Sequence, residues 1–172
     1  CHKGYSEVVR QLLAAGADID KARTKDGVTP LFMASQKRGN SEIVEQLLAA
    51  GADTDKARTK DGATPLCIAC LNGNSEIVAQ LVAAGADKDK ARTDNGCTPL
   101  FYCCQEGNGE IVEQLLAAGA AVDIVNDDGC TPLHMAAQEG QNPVVGQLLS
   151  AGADVDKART KDGATPLFIA SQ

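Results

Sequence analysis

The chain repeats itself. Thr-Pro-Leu occurs at 29–31, 64–66, 98–100, 131–133 and 165–167, in steps of 35, 34, 33 and 34 residues. Gly-Ala-Asp, or the variant Gly-Ala-Ala, begins at Gly16, Gly51, Gly85, Gly119 and Gly152, in steps of 35, 34, 34 and 33. Two independent markers moving in step fix a period, and a period of this size means a stack of similar supersecondary units. That explains a composition too lean for a single globular core: 172 residues hold three Phe, two Tyr and no Trp. A core of Leu, Ile, Val and Ala shared between neighbours needs few aromatics.

Each unit reads as local structure. Thr29, Thr64, Thr98, Thr131 and Thr165 precede Pro, and Thr at the N-cap with Pro at the first helical position starts a helix. This short helix carries small pairs (Ala34/Ser35, Ala69/Cys70, Cys103/Cys104, Ala136/Ala137) that suit close helix approach. Gly39, Gly73, Gly107 and Gly140 break it, and Asn-led segments at 40, 74, 108 and 142 restart a second helix. Glu42, Glu76 and Glu110 fall in its first turn, favoured by the helix dipole. Ile43, Val44, Leu47 and Leu48 form its apolar stripe, and Gly51 and its equivalents suit a left-handed stop. The 12 or 13 residues that follow end in Asp-Gly or Asn-Gly (26–27, 61–62, 95–96, 128–129, 162–163), which predicts hairpin-like excursions.

Turn, short helix, break, second helix and Gly stop resembles the ankyrin repeat, whose Thr-Pro-Leu-His-x-Ala signature is met most fully by Thr131-Pro132-Leu133-His134-Met135-Ala136. The resemblance covers the whole chain. It implies an all-α solenoid of stacked helix pairs joined by β-hairpin-like loops: a partial repeat at 1–28, full repeats at 29–63, 64–97, 98–130 and 131–164, and a partial repeat at 165–172. Stacked pairs about 8–10 Å apart would give a gently curved slab roughly 50 Å long with no deep pocket. The other copies depart from the signature, with Phe32, Cys67, Phe101 and Phe168 in place of His. Four of five hairpins are also one residue longer than the common form, and the Lys37-Arg38 break is extended.

Chemistry-bearing patterns are weak. Cys67 and Cys70 form a Cys-x-x-Cys, but Cys70, Cys103 and Cys104 stand where other copies have Ser or Ala, and Cys97 and Cys130 replace Val28, Ala63 and Ala164. Cysteine is substituting for small buried residues, and equivalent positions about 10 Å apart cannot form a disulfide. The Asp-x-Asp pairs (18/20, 53/55, 87/89, 154/156) suggest calcium, yet an EF-hand loop needs oxygen at its fifth position and Gly at its sixth, where Ala22 and Arg23 lie. They read as solvated hairpin groups. His134 matches the family's His, which the resemblance implies is a structural bridge between helix and hairpin. Without a catalytic constellation or phosphate loop, no enzyme activity, metal or cofactor is expected.

Net charge is −7, from 16 Lys+Arg against 23 Asp+Glu, which argues against nucleic-acid and anionic-membrane partners. An odd seven cysteines point to a reducing, intracellular and cytoplasmic setting, although a chain starting at Cys1 without Met leaves targeting unjudged. Each basic triplet in a hairpin (21/23/25, 56/58/60, 88/90/92, 157/159/161) is interleaved with Asp, so a solvated charged edge and a row of partner contacts both fit. One hairpin differs: 123–129 has no basic residue and is acidic. Beside it Phe101-Tyr102-Cys103-Cys104 is the most divergent first helix, and Leu71 replaces the Gln of other copies.

A partner that needs one register reads the places where copies differ. The expected function is therefore a non-enzymatic protein-interaction module using hairpin tips and the first-helix face. The candidate contacts are Leu71, Asp94, Cys97, Tyr102, Gln105, Glu106, Asp127, Asp128, Cys130, Gln138 and Glu139. The alternative is a spacer or end-to-end self-associating segment of a longer array, since Gln172 followed in space by Cys1 of another copy leaves 36 residues between Thr-Pro marks.

Overall fold

The computed structural model describes residues 3–172, with side chains from Tyr5 onward, and among these there are ten helices and no β-strand. Five begin at the Thr-Pro marks: α2 (Pro30–Ser35), α4 (Pro65–Leu71), α6 (Pro99–Glu106), α8 (Pro132–Gln138) and α10 (Pro166–Ala170). The other five are α1 (Lys3–Ala14), α3 (Ser41–Ala49), α5 (Ser75–Ala83), α7 (Gly109–Ala117) and α9 (Asn142–Ser150).

The Thr-Pro starts work as the sequence implies. Each Thr is extended and its side chain accepts the N–H three residues on; at Thr64 the Cys67 N–H donates at 3.1 Å. The second helices start differently, because Asn40, Asn74 and Asn108 make no side-chain cap. Asn74 turns inward instead, its Nδ2 donating to Ser35 O at 2.9 Å, which satisfies a helix-end carbonyl of the neighbouring copy. The second helices stop at Gly: Gly51 has φ 88°, and Ala52 N–H donates to Leu47 O at 3.0 Å.

The chain divides into two compact units, Cys1–Asp87 and Lys88–Gln172. Within the first, α2 packs on α3 and α4, α4 on α5, and α3 on both α1 and α5. Within the second, α6 packs on α7 and α8, α8 on α9 and α10, and α7 on α9. In each, the Thr-Pro helices form one layer and the Gly-stopped helices another. The apolar stripes meet between the layers, where Leu31, Val44, Leu66, Val78 and Leu81 of the first unit and Leu100, Val112, Leu115 and Leu148 of the second are fully buried. Each buried Leu contributes about 2 kcal/mol.

The connecting loops are turns closed by a pair of backbone bonds at one residue, such as Arg58 N–H to Ala63 O and Gly62 N–H to Arg58 O, and not by a ladder, which is why no strand forms among the described residues. Arg23 N–H donates to Val28 O at 2.9 Å around Gly27, whose φ is 72°. Adjacent loops are tied by Thr59 N–H to Asp26 O at 2.9 Å and Asp127 N–H to Asn95 O at 3.1 Å.

The Asp-x-Asp pairs correct the expectation of merely solvated groups. One carboxylate per copy accepts a backbone N–H of the next: Asp20 from Asp53, Asp55 from Asp87 at 3.0 Å, Asp89 from Ala121 at 2.9 Å, and Asp123 from Asp154. The aspartates thus staple neighbouring repeats, and charge-assisted bonds of this kind are the stronger ones. Cys67, Cys70, Cys97, Cys103 and Cys104 are buried and form no disulfide, in keeping with a packing role. His134 is buried; its Nδ1 accepts Thr131 N–H at 3.2 Å and its Nε2 lies 3.0 Å from Ala164 O. An acceptor at Nδ1 leaves the proton on Nε2, so neutral His134 donates to the following hairpin and bridges as the resemblance implies.

Candidate interaction surface

The structure divides the candidate contacts by exposure. In the second unit Asp94, Gln105, Glu106, Asp127, Asp128, Gln138 and Glu139 are exposed. Cys97 and Tyr102 are buried and offer a partner nothing. Cys130 is half-buried, and so is Leu71 in the first unit, where it packs on the cluster of Val28, Phe32, Ala63, Cys67 and Ile68.

Tyr102 is drawn inward by two groups. Its hydroxyl takes Asn95 Nδ2 at 2.9 Å, and the Arg92 guanidinium lies over its ring at 5.5 Å. Asn95 Oδ1 also accepts Cys97 N–H at 3.0 Å. Burial pushes the Cys97 thiol up from its ordinary value, and burial does the same to Cys104. Neither thiol is primed as a nucleophile.

Hairpin tips carry the charge. Four have an Arg–Asp pair bracing the turn: Arg23–Asp26, Arg58–Asp61, Arg92–Asp94 at 2.6 Å, and Arg159–Asp162. The Arg159 guanidinium beside Asp162 holds that carboxyl down at about 2, and Arg23 likewise lowers Asp26. The hairpin at 123–129 has Asn126 at the arginine's place. Asn126 Oδ1 accepts the N–H groups of Asp128 at 3.1 Å and Cys130 at 2.9 Å, so an amide folds this turn without a cation. Asp127 and Asp128 are left facing solvent, with Lys161 at 3.7 Å from Asp128 and both side chains well exposed. Such a pair contributes at most about 1 kcal/mol. Sequence reasoning missed Asn126 and Arg92; the signal for the first was Asn standing where other copies have Arg.

In the first unit α1, α2 and α3 enclose an open apolar groove of about 530 Å³ lined by Tyr5, Val9, Leu12, Met33 and Leu47 among others. The groove is open and shallow, not the deep pocket that a stack of repeats is expected to lack. Among the described residues no helix is long and apolar enough to cross a membrane.

Helix pairs at a fixed period, Thr-Pro caps and bonded hairpin tips define a repeat solenoid protein. Family comparison gives the same class a name: ankyrin repeats, three copies, match residues 1–92, 33–125 and 105–172. The chain belongs to the ankyrin repeat family, whose members are generally protein–protein interaction modules. Comparison with curated proteins finds no match.

Proposed function

We propose that the chain is a non-enzymatic interaction module that binds another protein through the hairpin tips and helix ends of residues 88–172, without nucleic acid or membrane. The observation that carries this is the 123–129 hairpin, where Asn126 replaces the bracing arginine and Asp127 and Asp128 stand exposed. Gln105, Glu106, Gln138 and Glu139 at the ends of α6 and α8 supply further polar contacts. A rigid, pre-bonded tip loses little conformational freedom on binding, which favours recognition of a partner carrying basic side chains.

Reversing both charges (Asp127→Lys with Asp128→Lys) should weaken a captured partner by roughly tenfold or more, chiefly through a slower on-rate at low salt. Unchanged affinity with an unchanged melting temperature would place the contact elsewhere.

A second reading, self-association of the array, has its own observation. Leu167 and Phe168 of α10 are 77% and 55% exposed, whereas their equivalents Leu31 and Phe32 are 0% and 1% exposed. Tyr5, Val8 and Leu12 of α1 are exposed as well. A second copy of the chain would cover these apolar side chains as neighbouring repeats cover Leu31 and Phe32. The end-to-end version involves Cys1, outside the described residues; a strictly monomeric sedimentation profile across concentrations rules it out.

A further inference from the structure

Three hairpins carry the same heptapeptide, Lys-Ala-Arg-Thr-Lys-Asp-Gly, at 21–27, 56–62 and 157–163. Thr24, Thr59 and Thr160 are exposed, as are the lysines three residues before and one residue after each. The intervening arginine is held by the Asp of the same turn, so each threonine is displayed on a braced tip flanked by basic side chains.

The fourth hairpin shows what this position accepts. Asp127 stands where Thr59 stands: each N–H donates to the preceding hairpin's carbonyl, at 3.1 Å to Asn95 O and 2.9 Å to Asp26 O. Each side chain also lies over the glycine of that hairpin, Gly96 for Asp127 and Gly27 for Thr59. A carboxylate is native to the place that a hydroxyl fills in sister copies, and the stack accommodates negative charge there.

We propose that Thr24 and Thr59 are phosphoacceptor sites for a basic-directed serine/threonine kinase, giving residues 1–87 the acidic tips that Asp127 provides in residues 88–172. In the transfer the γ-phosphoryl of MgATP forms a bond to the threonine Oγ1 while its bond to the bridging oxygen of ADP breaks. The hydroxyl proton passes to the kinase's catalytic carboxylate and ADP leaves. Each phosphate adds about −1.5 to −2 charges at pH 7, converting a tip of mixed sign into an acidic one. The lysine that follows in sequence adds a positive charge beside the phosphate.

Thr160 shares the heptapeptide but not the surroundings. A Cβ placed on Gly129 would come nearest the Thr160 hydroxyl, whereas one placed on Gly27 would come nearest the Thr59 methyl, so the two side chains sit in different rotamers. Because the local sequences are identical, any difference in modification between these sites comes from the fold.

The test uses the full chain, MgATP and a kinase chosen because it phosphorylates the synthetic peptide Lys-Ala-Arg-Thr-Lys-Asp-Gly. Cleavage after glutamate puts the three threonines on separate fragments, 8–42, 46–76 and 140–172, and mass spectrometry reads phosphate at each. Thr24 and Thr59 are expected to carry phosphate, with Thr160 as the comparison within the same chain; an exposed side chain changes rotamer within nanoseconds, so orientation alone does not slow its modification. Thr59→Asp should fold with an unchanged melting temperature, as Asp127 leads one to expect. No phosphate on Thr24 and Thr59 overturns the proposal, as does a Thr59→Asp chain that fails to fold.

Discussion

His134 and Gly146 show how much single residues matter in a repeat core. His134 joins two copies through one ring, so His134→Ala leaves Thr131 N–H and Ala164 O without their partner in a buried place. The cost should be about 2–3 kcal/mol, read as a lower urea midpoint. Gly146 sits inside α9, where the other copies have Glu45, Ala79 and Glu113, and a Cβ there meets nothing within 4 Å. Gly146→Ala should therefore raise stability by roughly 1 kcal/mol, seen as a higher melting temperature. The role of His134 was legible in its motif. Tyr102 was not, because its burial depends on Asn95 and Arg92, whose side-chain directions no spacing rule supplies. Cys97 could have been excluded from the contact surface by its column, since Val28, Ala63 and Ala164 occupy the same position and are buried too.

At the scale of the element, the Thr-Pro helices were legible to the residue because a cap is a local device: the side chain, the missing proline N–H and the extended backbone lie within three positions. The hairpins were legible as turns but not in how they are held, which depends on contacts between copies. Their Arg–Asp braces make a pH prediction. Asp162 titrates at about 2 in the folded chain against an ordinary value of 3.8, so the folded state favours the ionised form. That stabilisation is fully present above about pH 4 and is lost as the pH falls towards 2. The melting temperatures of the parent chain and Asp162→Asn should accordingly converge over this range. A gap that persists unchanged at pH 2 would mean that the brace does not act through its charge.

For the whole molecule, the buried thiols offer a readout of stability in each unit, Cys67 and Cys70 in one and Cys97, Cys103 and Cys104 in the other. Half-buried Cys130 should react with a thiol reagent well before these five, which become accessible only when the surrounding repeat opens. Leu100→Ala removes a fully buried side chain beside Cys103 and Cys104 and should cost about 2–5 kcal/mol, accelerating labelling of those two thiols. The aspartate staples carry a different consequence. Each repeat presents a carboxylate to the copy after it and a backbone N–H to the copy before it, so the joint has a polarity, like a plug and a socket. Repeats can follow one another in only one sense, and every joint uses the same pair of groups. A whole repeat excised or duplicated between equivalent positions keeps plug matched to socket, whereas a boundary placed between Asp89 and Ala121 breaks the bond that joins them. The grammar by which such a gene can lengthen or shorten is written in those four carboxylates.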